Sequence, residues 1–470
     1  MLYADGFRRG DALALWMPDG GCWLQFLFAA AQLGVLVVPI STRYREQEAR
    51  HVITTARTKG IVVATDFLGF DFLTPTRAIQ RNAPYLERVY ESSCEPAFYP
   101  VDAAPASAPA LGGPRDPLCT FSTSGTTGQA KLAVHDQESI ARHARNVARA
   151  LHISTGDVML CGLPLYGVLG FVQFIGALAA AANSIFLRVF EAESAAQGID
   201  QYGVTHFLGS DGMLAPVLEM EHCRLSTWRC GGFAEFAGLA IEVVDHAQSR
   251  LGLPLVGLYG SSECFAVAAT QLPSDPTELR SMAGGLPTSR EIRFRIVDPA
   301  DGRPVSDGQR GELQMRGYNV MSAYLNDARA TDEAFTEDGW FRTGDLAYAR
   351  GDRFFYLSRL KDGLRLRGYL VDPTEIEHLM SRHEAVRDTQ VVGVHRPGVG
   401  DIAVAFVRSL DPGLTKADLI GWCKSEMANY KVPSHVVFVE DYPRIDGPNG
   451  TKIVKSELRE MAKQLTKEDR

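Results

Sequence analysis

Short apolar runs alternate with amphipathic helical patterns from the start of the chain. "ALALWMP", "VLVVPI" and "GIVVAT" read as strands, and "EQEARHVITTART", between the last two, reads as a helix. Strands that are apolar on both faces belong to parallel sheets covered by helices, so an α/β fold with a largely parallel sheet is predicted. The length of 470 residues and the 46% hydrophobic content allow two or three domains with substantial cores. "CWLQFLFAAAQLGVLVVPI" approaches membrane-spanning length, but Gln25, Gln32 and Gly34 divide it into a helix and a strand, so no membrane span is expected. The opening "MLYADGFRRGDALALWMPDGG" lacks the apolar core and cleavage site of a secretion signal. Eight cysteines, none in a CxxC pair, signal neither a zinc framework nor a disulfide scaffold and fit a reducing cytoplasm. A net charge of −8 argues against a nucleic-acid partner while leaving room for a local basic pocket that holds phosphates.

The proline-, alanine- and glycine-rich "PVDAAPASAPALGGPRDP" (residues 100–117) reads as an exposed connector. Beyond it, "VMLCGLPL", "SIFLRVF" and "VTHFLG" read as strands and "SIARHARNVARALH" as a helix. From about Gly285 the runs shorten and turns multiply ("EIRFRIVD", "GELQMRG", "RFFYLSR"), which predicts a β subdomain. After Asp362 a separate αβ pattern occupies about a hundred residues, enough for a small domain.

Three segments carry chemistry. In "TFSTSGTTGQAKLAVHD", glycines at 125 and 128 let backbone approach a phosphate, hydroxyls and amides donate to it, and Lys131 adds positive charge; taken alone, the segment fits a surface loop as well. A Walker loop is excluded, because Ala130 and Leu132 stand where glycine and a hydroxyl are required. "LYGSSEC" follows the apolar "LPLVGL" at the C-terminal end of a predicted strand, the edge where open α/β sheets bind ligands. There Tyr259 could stack on a purine, Ser262 donate to a phosphate and Glu263 hold Mg²⁺, or the segment could simply be a strand running into a helix cap. In "GWFRTGDLAY" and "SRLKDG", Asp345 could accept ribose hydroxyls and Arg359 donate to ribose or phosphate, although isolated Asp and Arg are more often solvated surface charges.

Taken in order, seven segments resemble the adenylate-forming superfamily of acyl-CoA synthetases, aryl-CoA ligases, peptide-synthetase adenylation domains and luciferases. They are "GDALALWMPDGGCWLQFLFAAAQLGVLVVPISTRYREQE", "STSGTTGQAK", "GGFAE", "YGSSE", "GELQMRGYNVMSAYLNDARATDEAFTEDGWFRTGDL", "SRLKDGLRLRGYLVDPTEIE" and "YKVPSHVVFVEDYPRIDGPNGTKIVKSELRE". The resemblance covers nearly the whole chain. It implies a large N-terminal domain of α/β sheets plus a β subdomain (residues 1–361) and a small mobile α+β C-terminal domain (362–470), with the hinge at Asp362. It also implies the cofactors ATP, Mg²⁺ and coenzyme A. Thr123, Ser124, Gly125, Thr126, Thr127, Gly128 and Lys131 would hold the β and γ phosphates. Gly231, Gly232 and Phe233 would line the adenine pocket, with Tyr259, Gly260 and Ser261 beside the nucleotide. Ser262 would contact the α-phosphate, Glu263 with Thr126 would bind Mg²⁺, and Asp345 with Arg359 would hold the ribose. Lys452 would be the adenylation lysine. Rotation of the small domain would then bring the face around Arg365 to Gly368 to the thiol.

Several positions depart from the family's usual pattern. Ala130 replaces a common proline, and Gly167 in "PLYGVLG" replaces a histidine, which reshapes the acyl pocket. Gln137 stands at a frequent histidine position, with His135 two residues earlier. Only about ten residues precede the first block, where relatives usually carry a further helix and strand, so the first subdomain is expected to be trimmed or to lack an early segment. No acid lies between Pro164 and Gln173, so a substrate without an α-ammonium is expected. Tyr166, Gly167, Phe171, Phe207, Gly209, Phe233 and Cys264 are pocket candidates for a flat aryl or medium aliphatic acid. The expected activity is ATP-dependent acid activation and transfer to coenzyme A. The alternatives are transfer to an acyl carrier protein, activation of an oxyanion such as nitrite, an ADP-releasing ATPase or kinase, and a catalytically silent nucleotide-binding partner.

Overall fold

The computed structural model describes residues 1–92, 110–123, 130–360, 364–366, 369–371, 373–396, 400–427, 429, 431–447 and 450–467. Ser124, Gly125, Thr126, Thr127, Gly128, Asp362, Arg367, Gly368 and most of the proline-rich connector lie outside the described residues. The chain forms two compact units, residues 1–293 with 315–341, and residues 294–314 with 342–470.

In the first unit, Ala12–Trp16 lies parallel between Leu36–Pro39 and Gly60–Ala64, and all three strands are buried along their whole length. This is why their sequences carry no polar alternation. Arg88–Ser92 extends the sheet on one side; Pro117–Ser122, Leu132–Asp136 and Ala323–Tyr324 extend it on the other, the last two pairings antiparallel. The long apolar stretch divides as expected. Helix Gly21–Leu33 stops at Gly34, whose left-handed φ of 71° turns the chain into Leu36–Pro39. Among the described residues no helix is long and apolar enough to cross a membrane.

A second sheet of the same unit runs in the order Gly284–Pro287, Phe265–Thr270, Val256–Ser261, Cys230–Ala234, His206–Ser210, Val158–Cys161 and Asn183–Phe186. Its strands are parallel from Asn183–Phe186 to Val256–Ser261 and antiparallel beyond. Helix Val168–Ala179 packs against Phe265–Thr270 in this sheet and against helix Gln137–Ala150. Its Phe171 reaches the first sheet, 5.2 Å from Phe121 between ring centroids. One continuous apolar core thus runs between the layers.

In the second unit, Arg353–Arg359 pairs antiparallel with Phe341–Arg350, followed in order by Arg310–Arg316 and Arg293–Val297, the β subdomain expected from the turn-rich texture. A separate sheet centres on the antiparallel pair Val386–Arg396 and Gly400–Ser409, joined by Leu364–Leu366, Tyr369–Val371 and His435–Phe438. The hairpin Arg444–Gly447 with Gly450–Ile453 sets Lys452 opposite Ile445.

Candidate active site

In the first unit, the middle strands of the second sheet are rich in glycine. Cys230–Ala234 carries Gly231, Gly232 and Phe233 between two parallel neighbours. A Cβ on Gly231 would lie 2.4 Å from the Leu255 side chain and one on Gly232 would lie 2.8 Å from Leu258, so close sheet packing leaves room only for glycine. Gly209, on the adjacent strand, would place a Cβ 3.1 Å from Leu214. The buried Asp211 shapes the following loop by accepting backbone N–H bonds from Phe236, Ala237 and Leu239 at 2.9–3.1 Å. Sequence reasoning missed it, because its partners lie 25 to 28 residues further on.

Val256–Ser261 leads directly into the Ser262–Glu263 turn. Tyr259 is buried and lies opposite Ala269. Gly260 presses on the hairpin's return arm, where a Cβ would stand 2.2 Å from Phe265 O. Ser261 Oγ accepts Glu263 N–H at 3.2 Å and lies 3.4 Å from the sulfur of the buried Cys264.

The turn meets the base of the hydroxyl-rich loop. Ser262 Oγ donates to Ser122 O at 3.1 Å, and Thr123 N–H donates to Lys131 O at 2.9 Å, closing the loop's two ends. The Tyr324 hydroxyl donates to a Glu263 carboxylate oxygen at 2.9 Å, and the Lys131 ammonium lies 4.8 Å from the centre of the Tyr324 ring. Ser262, Glu263, Lys131 and Thr123 therefore share one neighbourhood. Tyr324 joins them unforeseen, because nothing in "MSAYLND" distinguishes its tyrosine from a core residue.

Two neutral histidines hold the hairpin from behind. His135 Nε2–H donates to Ser262 O at 2.8 Å and His143 Nε2–H donates to Ala266 O at 2.7 Å. Between these bonds the Phe265 ring is stacked on both imidazoles, with centroids 3.8 Å from His135 and 4.8 Å from His143. Burial pushes both histidines down to about 4, so they are uncharged near neutral pH. Phe265 and Val267 adopt left-handed φ values of 60° and 59°, a conformation that survives only where the surroundings impose it.

The "PLYGVLG" loop lies at the start of helix Val168–Ala179, with Gly167 at its N-cap. Asp19 accepts the Leu165 N–H with both carboxylate oxygens at 3.0 Å, and burial pushes this carboxyl up to about 7 against that bond's opposing pull. The Tyr166 hydroxyl lies near those of Ser41 and Thr42 and the Tyr44 hydroxyl near that of Ser122, and burial pushes both phenols up. Phe171 and Phe207 are fully buried. Phe171 packs against Trp23 and Phe121, and Phe207 against Phe190 and Trp228.

In the second unit, Asp345 and Arg359 face each other across paired strands. Arg359 Nη1 lies 3.0 Å from Asp345 Oδ1 and also donates to Thr343 O at 3.2 Å. Lys452 belongs to the same neighbourhood: its own burial, and secondarily the Arg359 cation, push its ammonium down to about 8.

The first unit, with its parallel sheet and a lysine-bearing segment tied to an acidic turn, and the second, with an Asp–Arg pair beside a depressed lysine, each carry features of a ligand-binding α/β enzyme. More narrowly, the chain belongs to the AMP-binding enzyme family, whose model matches residues 1–325, while the model of the family's C-terminal domain matches residues 375–446. An indoleacetate–CoA ligase of Aromatoleum aromaticum is 30% identical over 484 residues, spanning 99% of this chain and 91% of the relative. A sulfoacetate–CoA ligase of Cupriavidus necator is 29% identical over 456 residues, spanning 95% and 87%. In fold, ATP-bound MatB from Rhodopseudomonas palustris superimposes with a TM-score of 0.87 at 23% identity, covering 99% of this chain and 91% of that one.

Proposed function

We propose that this protein is an AMP-forming acid–thiol ligase that activates a carboxylic acid with ATP and transfers the acyl group to coenzyme A. The observation that carries this reading is the junction of Ser262 and Glu263 with Ser122, Lys131 and Tyr324, which ties both ends of the phosphate loop to the turn that follows Tyr259. The family membership and the coenzyme A ligase relatives support the same chemistry.

In the first step a carboxylate oxygen attacks the α-phosphorus, the bond to the β-phosphate oxygen breaks, and pyrophosphate leaves with an acyl-adenylate retained. In the second, a thiolate attacks the acyl carbon and AMP departs. Bringing two anions together demands fixed positive charge and donors. We assign Thr123 to Gly128 with Lys131 to the β and γ phosphates, Ser262 to the α-phosphate, and Lys452 to the charge that builds at the attacking oxygen. Gly231, Gly232 and Phe233 with Tyr259, Gly260 and Ser261 would frame the adenine, and Asp345 with Arg359 the ribose. Among the described residues no group of three His, Cys, Asp or Glu side chains converges. A lone carboxylate such as Glu263, joined by Thr126, nevertheless suits Mg²⁺, which keeps waters and takes its remaining oxygens from phosphates. Bound there, Mg²⁺ would neutralise phosphate charge.

For the acid we assign Tyr166, Gly167, Phe171, Phe207, Gly209 and Cys264 to the pocket for an aryl or medium-chain acyl group. Asp362 is assigned as the hinge between residues 1–361 and 362–470. The seven cysteines among the described residues are free thiols, which supports a cytoplasmic setting. The test is acid-dependent exchange of pyrophosphate into ATP over a panel of acids, followed by thioester formation with coenzyme A. Exchange with AMP and pyrophosphate as products is expected. Release of ADP would defeat the assignment, and thioester formed only on a carrier protein would redirect the second step.

A further inference from the structure

Gln173 stands apart among the described residues. It is fully buried on helix Val168–Ala179, and neither its amide nitrogen nor its amide oxygen has a hydrogen-bond partner. Gln271 and Asn319 are equally buried and each has an unmet oxygen, but each still donates, to Met282 O at 3.3 Å and to Cys264 O at 2.8 Å. An amide with both halves unmet is costly in a close-packed interior, and a glutamine retained only for packing would be better replaced by an apolar side chain of its size. Its helical neighbours Phe171, Val172 and Phe174 are buried and apolar, so the amide is the one polar side chain on this stretch of the helix.

The helix is placed to bring a ligand there. It begins directly after Tyr166 and Gly167, and it packs against Phe265–Thr270, the strand that leaves the Ser262–Glu263 turn. Gln173 stands six positions beyond Gly167, about 9 Å along the helix axis, and a helical side chain leans back toward the N-terminus. The amide thus lies on the helix that leaves the loop assigned above to the acyl pocket, under two turns from its start.

We infer that Gln173 is a specificity-determining residue whose amide donates to and accepts from one polar group, a hydroxyl or an amide, carried at the end of the acid remote from its carboxylate. This deepens the acid-activating function proposed above and rests on it. The substrate class is then a compact acid with a distal hydrogen-bonding group rather than a purely hydrocarbon one.

The test uses the intact protein and pyrophosphate exchange with acids paired by a hydroxyl-to-methyl swap: 4-hydroxybenzoate with 4-methylbenzoate, 4-hydroxyphenylacetate with 4-methylphenylacetate, and 5-hydroxypentanoate with hexanoate. The hydroxyl member of at least one pair should be preferred about tenfold or more in kcat/KM. Gln173→Met and Gln173→Leu should reduce that preference to within about twofold, chiefly through KM, while melting at or above the wild-type temperature. Equal or better use of the methyl member in every pair would overturn the inference. So would variants that keep the preference while gaining stability, the result expected if only water meets the amide. Exchange without a hydroxyl preference removes this inference alone. A folded, ATP-binding protein that exchanges with no acid removes the adenylation reading and this inference with it.

Discussion

At the scale of single residues, Lys452 gives the sharpest expectation. Held down to about 8 by burial and the Arg359 cation, it loses its proton well below the usual lysine range. If its charge offsets the anion that forms on attack, exchange rate at saturating ATP should be level below about pH 8 and fall roughly tenfold per pH unit above it. Lys452→Arg, which stays charged, should remove that alkaline limb. Lys452→Ala should lower exchange by about a hundredfold or more while ATP affinity, read by calorimetry, changes only severalfold. Such residues were legible because their neighbours in sequence announce them: Ser262, Glu263 and Lys131 each sit in a short segment of fixed composition. Asp19 and Tyr324 were not, since each acquires its role from a partner far along the chain, 146 residues from Asp19 to Leu165 and 61 from Tyr324 to Glu263. Gln173 was invisible for another reason: a missing hydrogen bond leaves no mark on composition.

At the scale of elements, the apolar runs marked Ala12–Trp16, Leu36–Pro39 and Gly60–Ala64, because strands buried on both faces have no polar residues to confuse the pattern. What the pattern withheld was register and the clamp on the 259–270 hairpin, because stacking of Phe265 between two histidines depends on three elements meeting. The clamp has a measurable pH signature. His135 and His143 bind protons less readily folded, at about 4, than unfolded, at the ordinary 6.5. Their contribution is complete above about pH 6.5 and is lost as pH falls toward 4, by roughly 3 kcal/mol for each histidine over that interval. Urea unfolding at a series of pH values should show this slope. The double variant His135→Gln, His143→Gln, which keeps a donor for each carbonyl but cannot titrate, should flatten it by the corresponding amount.

At the scale of the whole molecule, the order of the seven segments was enough to indicate the family, whereas nothing in the local pattern hints that residues 294–314 join residues 342–470 in one compact unit. That grouping comes from strand pairing across a long insertion, which local pattern does not encode. The hinge assignment makes a prediction of its own. Asp362→Pro fixes φ at that position, so coenzyme A thioester formation should fall by about tenfold or more, while pyrophosphate exchange stays within about threefold. Equal losses in both steps would remove Asp362 from that role. The histidine-held ring of Phe265 limits how the enzyme can diversify. The hairpin that carries it also carries Tyr259, assigned above to the adenine, and leaves the turn of Glu263, assigned above to the metal. Trimming that ring would loosen the hairpin itself, so under the assignments proposed above new substrates are more readily gained by altering the helix that follows Gly167.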